Sequence, residues 1–67
     1  MPRKVRQIIA ELEKAGFVHV STHGSHRKFR NAAGITMILS GRSGADAHFY
    51  QEKDARLAIA AARGTKS

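Results

Sequence analysis

Val5, Ile8, Ile9 and Leu12 repeat at i, i+3, i+4 and i+7, which places four apolar side chains on one stripe of a helix. Arg6, Glu13 and Lys14 fall off that stripe and stay in water. The spacing predicts a helix over 3–15. Pro2 suits its start, because the missing N–H would be unpaired in a first turn. Gly16 suits its end: a left-handed residue there lets Phe17 fold back as an apolar contact. The period then changes. Phe17-Val18-His19-Val20-Ser21-Thr22 is β-branched and aromatic and reads as a strand. His23-Gly24-Ser25 reads as a turn, and His26-Arg27-Lys28-Phe29-Arg30 as a second, polar strand whose one large apolar residue is Phe29. A second short turn, Asn31-Ala32-Ala33-Gly34, leads into Ile35-Thr36-Met37-Ile38-Leu39-Ser40, the most apolar strand and the one expected at the centre of the sheet. Turns this short imply antiparallel hairpins.

Gly41 to His48 is a loop by composition. A second helix is expected from Tyr50 or Gln51 to Arg63, closed by Gly64. Its stripe is Ala55, Ala58, Ile59 and Ala62, widened by Leu57 and Ala61. Phe49 and Tyr50 read first as core anchors of that helix, with base stacking as the other role open to them. Residues 64–67 read as a frayed tail. The order is α-β-β-β-α in a single domain spanning 1–67, of the α+β class. Burying both apolar stripes against a three-stranded antiparallel sheet is most economical with both helices on one face. The other face is left open and polar.

Sixty-seven residues allow one small core, in a size range where only ~60% of the unfolded surface is buried. That excludes a separate cofactor-binding domain. There is no cysteine, which excludes disulfide staples and thiolate zinc sites and fits a reducing cytoplasm. No apolar run approaches the ~20 residues of a membrane span. Glu11, Glu13 and Lys14 interrupt any signal-like apolar segment, so no targeting sequence and no membrane partner are expected. Charge changes the picture most. Twelve Lys and Arg stand against five Asp and Glu, a net +7. From Lys14 to Ala45 there is no acidic residue, while Arg27, Lys28, Arg30 and Arg42 lie within that stretch; Arg3, Lys4 and Arg6 form a second cluster. Strand alternation sets His26, Lys28 and Arg30 on the face opposite Phe29. A basic stripe on a sheet is the footprint of a polyanion partner; the plain alternative is a solvated face that keeps the protein soluble.

The Gly24-Ser25-His26 turn carries the candidate chemistry. Glycine lets the backbone approach a phosphate, and Ser25 offers a hydroxyl beside it. An imidazole takes or gives a proton near neutrality, its ordinary pKa being ~6.5. RNA supplies its own nucleophile, the 2′-OH, so a general base beside cationic groups suffices for strand scission. Arg27, Lys28 or Arg30 would then stabilise the charged transition state. On spacing alone, a histidine in a turn on a basic strand is more often a phosphate hydrogen-bond donor or a bystander than a catalytic group. His19, His23 and His26 lie close in sequence, but they span a strand, a turn and a new strand, so no metal site is expected. A Ser25/His26/Asp46 triad is disfavoured because neighbouring strand residues face opposite ways. Glu52, Lys53, Asp54 and Arg56 read as charges on a solvated helix face.

With these residues, from Ile8-Ile9-Ala10-Glu11-Leu12-Glu13-Lys14-Ala15-Gly16-Phe17 through Gly24-Ser25-His26 to Phe29, the chain resembles the HicA-type (YcfA-like) toxins, the small mRNA interferases of HicAB toxin–antitoxin systems. The resemblance covers about half the chain. It implies a double-stranded-RNA-binding-domain-like fold and metal-independent ribonuclease activity on mRNA with no cofactor. It implies His26 as the catalytic histidine and a HicB-type antitoxin as the protein partner. Gly24 and Ser25 would shape the turn, and Arg27, Lys28 and Arg30 are RNA contacts by charge. The segment that carries a Pro-His pair in that family reads Met37 to His48 here, without the proline; its histidine is His48. Two other classes of function stand beside this one: a non-catalytic nucleic-acid-binding module on the same basic face, and an interaction protein that docks an acidic partner on the open sheet.

Overall fold

A computed structural model describes residues 3–64. The order is α1 (Val5–Lys14), β1 (Val18–His23), β2 (His26–Arg30), β3 (Thr36–Ser40) and α2 (Phe49–Gly64). Two consecutive hairpins place the strands in the order β1-β2-β3, all antiparallel. The central strand is therefore β2, and the expectation that Ile35–Ser40 would be central is overturned. Strand composition registered how apolar β3 is, but a meander of two tight turns always puts its middle strand in the middle.

The core is built from Val5, Ile8 and Leu12 of α1, Phe17, Phe29 of β2, Met37 and Leu39 of β3, Ala47, and Ala55 and Ala58 of α2. All of it lies on one side of the sheet, so both helices share a face as expected. Ile9, Ile59 and Ala62 pack at its margin, which completes the two predicted stripes. Leu57, 59% exposed, and Ala61 lie outside it. No residue of β1 is buried.

Helix α1 ends as the glycine and phenylalanine suggested. Gly16 has φ +95°, its N–H donates to Glu13 O at 3.0 Å, and Phe17 N–H donates to Leu12 O at 2.9 Å. These two bonds satisfy carbonyls orphaned by the helix end and drop Phe17 onto Leu12 in the core. Phe17 thus belongs to the helix cap, and β1 begins at Val18 and runs on to His23.

The start of α1 departs from expectation. Lys4 is extended (ψ 151°) and acts as N-cap, so Arg3 and Lys4 precede the helix; Pro2 lies outside the described residues. Lys4 N–H donates to Gln7 Oε1 at 2.7 Å. Val5 and Arg6 N–H donate to Ala45 O and Ser43 O of the long loop. Helix α2 repeats the device: His48 N–H donates to Gln51 Oε1 at 2.8 Å, and Gln51 and Glu52 N–H donate back to His48 O. In both caps a glutamine three residues into the helix reaches back to the N-cap backbone. This starts α2 at Phe49, a residue or two earlier than predicted. The expected frayed tail lies outside the described residues beyond Gly64.

Candidate active site and nucleic-acid interface

The turn that presents His26 is a two-residue hairpin loop. Gly24 has φ +62°, and Ser25, with the other non-glycine residues described, has negative φ. That is the type II′ arrangement, which calls for glycine at the first central position. The loop is tied down from the side, because Gly41 N–H donates to Ser25 O at 3.1 Å. His23 and His26 are the residues that flank the loop and pair across it.

Register places the paired residues of the open face in three cross-strand rows. His26 lies between His23 and Ser40, Lys28 between Ser21 and Ile38, and Arg30 between Val18 and Thr36. Successive rows are two residues apart on β2, about 6.6 Å. The predicted set of His26, Lys28 and Arg30 therefore forms a line down the central strand. Lys28 is half-buried by its neighbours, whereas His26 and Arg30 are exposed. None of the three makes an ion pair among the described residues.

Arg27 is not part of that line. It shares the helix-side face with the buried Phe29, and its guanidinium reaches the long loop, where Nη2 donates to Ser43 Oγ at 3.4 Å. Its Nη1 is buried without a protein acceptor. Of the predicted RNA contacts, Lys28, Arg30 and the Gly24-Ser25 turn gather with His26, and Arg27 stands on the other side of the sheet.

The acidic residues are gathered away from this face. Arg3 bridges the two helices: its Nη2 lies 3.1 Å from Glu11 and 2.7 Å from Glu52, and its Nε donates to Glu52. Hydrogen bonding to Glu11, then to Glu52, pushes the guanidinium pKa further up. The hydrogen bond from Arg3 holds the Glu52 carboxyl below the ordinary carboxylate range. Lys4 pairs with Asp46. Three of the chain's five acids are thus held in ion pairs with Arg3 and Lys4, while Arg27, Lys28 and Arg30 of β2 make no ion pair among the described residues.

The histidines divide. His19 turns to the helix side, with its ring 5.5 Å from that of Phe29 and its Nε2 2.6 Å from Thr22 Oγ1. β1 carries a bulge at this point: register slips by one residue between His19 and Ser21. Beyond the slip, Ser21 and His23 occupy the open face. His19, His23 and His26 therefore do not converge on one point. His48 caps α2 and stacks on Tyr50 at 5.6 Å. It is linked to the His26 row through Gln51, whose Nε2 donates to Ser40 O at 2.8 Å.

Phe49 and Tyr50 are 81% and 55% exposed, so they do not anchor α2 in the core. Gln51, 2% exposed, does so by hydrogen bonds to His48 and Ser40. The part played by Gln51 was missed in the sequence. Its signal was there, a glutamine three residues after the loop's last residue. The pairing of His23 with His26 differs from the sequence reading for a similar reason: His23 reads as part of the turn, whereas Gly24-Ser25 alone makes a two-residue loop.

No helix among the described residues is long and apolar enough to cross a membrane. No curated protein and no solved structure matches the chain. The family model for the HicA toxin of bacterial toxin–antitoxin systems matches residues 5–56. That match runs from the first residue of α1 into α2 and includes the whole sheet with its Gly24-Ser25-His26 turn. With most of the sequence inside it, and with the α-β-β-β-α order observed, this chain belongs to the HicA toxin family.

Proposed function

We propose that this toxin is a cytoplasmic mRNA interferase, a metal-independent endoribonuclease with His26 as its catalytic residue, held in check by a HicB-type antitoxin. The observation that carries the reading is the delivery of His26 to an acid-free sheet face by the Gly24-Ser25 turn, with Lys28 and Arg30 in line behind it. Lys28 and Arg30 hold successive phosphates of the strand, and the backbone of the tight turn lets a third approach His26. The ribose 2′-OH of the substrate is the nucleophile, so the protein has only to move protons and stabilise charge. An antitoxin that covers this face silences the enzyme by excluding RNA.

The test is expression of wild type and His26→Ala side by side, followed by total-RNA integrity over induction, with circular dichroism to show that both fold. Growth arrest with mRNA breakdown in the wild type, absent in the folded variant, is the expected result. Loss of a general acid/base lowers turnover by about 10²–10⁴-fold, which purified proteins on a defined RNA would show directly. If both proteins bind RNA and neither cuts it, the face is a binding surface and the ribonuclease reading fails.

A further inference from the structure

His23 closes β1 directly opposite His26, the first residue of β2. Two features put it there. The two-residue Gly24-Ser25 loop makes its flanking residues partners, and the bulge at Val20 shifts β1 by one position so that Ser21 and His23 both meet the open face. Directly opposed residues of an antiparallel pair have Cβ atoms about 4.5–5.5 Å apart on the same side of the sheet. Both histidines are exposed. Neither has a side-chain partner among the described residues, in contrast to His19 on Thr22 and His48 on Tyr50.

Cleavage of RNA through its 2′-OH needs two proton transfers. The 2′-oxygen attacks phosphorus and gives up its proton as the new P–O bond forms. The P–O5′ bond then breaks, and its electron pair leaves on O5′, which must gain a proton. The products are a 2′,3′-cyclic phosphate and a free 5′-OH. One neutral imidazole accepts the first proton and one protonated imidazole supplies the second, so the two exchange protonation states and water resets them.

We propose that His23 is a second catalytic residue of this site, acting with His26 as a general base and general acid pair on one phosphodiester. The inference rests on the ribonuclease reading above and extends it. The charged groups that face the pair are few. On β2 the next is Lys28, and Arg42 follows Gly41, which is bonded to the turn at Ser25. β3 presents the uncharged Ser40 opposite His26. No carboxylate lies on any of the three strands, so the imidazoles are the side chains there able to exchange a proton near neutrality.

The experiment is single-turnover cleavage of a short defined RNA by the purified full chain across about pH 4–9. The proteins are wild type, His23→Gln, His23→Arg, His26→Gln and His48→Gln. Affinity is measured separately on the same RNA with a 2′-deoxy substitution at the cleavage site, which can bind but not react. The wild type should show a bell with an acid and an alkaline limb. His23→Gln should lose one limb and about 10²-fold or more in rate, with the affinity for deoxy-substituted RNA retained. His23→Arg should be as impaired, since it restores a cation but not a proton donor of suitable strength. His48→Gln should keep both limbs. If His23→Gln keeps the bell and the wild-type rate, or His23→Arg restores activity, or His48→Gln is the variant that loses a limb, the pair is overturned while His26 keeps its role. If the wild type cuts nothing at any pH, the ribonuclease reading itself falls. His23 is exposed at a hairpin end, and circular dichroism on each variant separates lost chemistry from lost fold.

Discussion

Replacing Gln51 by methionine removes three hydrogen bonds without opening a cavity, because the two side chains are of similar length and volume. In the native protein Gln51 Nε2 donates to Ser40 O at 2.8 Å and to Ser40 Oγ at 3.1 Å, and Oε1 accepts from His48 N–H at 2.8 Å. The alternation of bonds along β3 explains why Ser40 O needs this partner. Asn31 N–H donates to Ile35 O and Gly41 N–H to Ser25 O, so the intervening Thr36, Ile38 and Ser40 turn their backbone groups to the free edge. After the substitution, Ser40 O and His48 N–H each lose a partner in a partly buried setting, where an unsatisfied group costs about 1–3 kcal/mol. Water reaches this edge in part, so the lower half of that range applies to each group, a loss of about 2–4 kcal/mol in all. For a domain of this size 1 kcal/mol shifts the melting temperature by about 4–8 °C, so the midpoint should fall by roughly 10–30 °C. The assay is thermal and urea denaturation followed by circular dichroism. A Gln51→Met melting temperature indistinguishable from wild type would refute the reasoning and show that water serves both groups equally well.

Gly24→Ala meets no atom within 4 Å, so its cost is that of the backbone alone, about 1–3 kcal/mol for a side chain held at this positive φ; an unchanged denaturation midpoint would count against the II′ assignment. Lys28→Gln and Arg30→Gln should each reduce the slope of log affinity for RNA against log salt by about 1. Arg27→Gln should leave that slope unchanged because it lies on the opposite face, and equal losses in all three variants would contradict the placement. Glu52, its pKa lowered in the folded state by the bond from Arg3, contributes stability that is present above the unfolded carboxylate's pKa and lost as pH falls through the folded value. Wild type should therefore melt above Glu52→Gln at neutral pH, and the two curves should converge in strong acid; a gap that persists there would mean the carboxylate acts by something other than its charge.

Much of the fold was legible because local periodicity reports it. The stripe Val5, Ile8, Leu12 and the stripe Ala55, Ala58 are both in the core, and Gly16 followed by Phe17 closes α1 by the two bonds its residue types favour. Alternation also gave the line of His26, Lys28 and Arg30 opposite Phe29, since β2 is regular from end to end. The Gly24-Ser25-His26 motif of the candidate site is likewise read directly from the sequence.

What alternation cannot carry is a break in itself. The bulge between His19 and Ser21 leaves no mark in the pattern of apolar and polar residues, yet it decides that His19 packs on Phe29 while Ser21 and His23 face the open side. One added residue reverses the side of everything beyond it, and which residue is added depends on the partner strand's hydrogen bonds. Phe49 and Tyr50 misled for a related reason: their type favours a core, but Gln51 already satisfies the edge of β3 and sets the helix so that both rings point to water. The sequence by itself determined the elements, their order and the charge of the face. Only the tertiary structure decided that His19 turns onto Phe29, that Gln51 rather than Phe49 or Tyr50 ties α2 to β3, and that Arg3 joins Glu11 to Glu52, because those depend on contacts between separate segments of the chain.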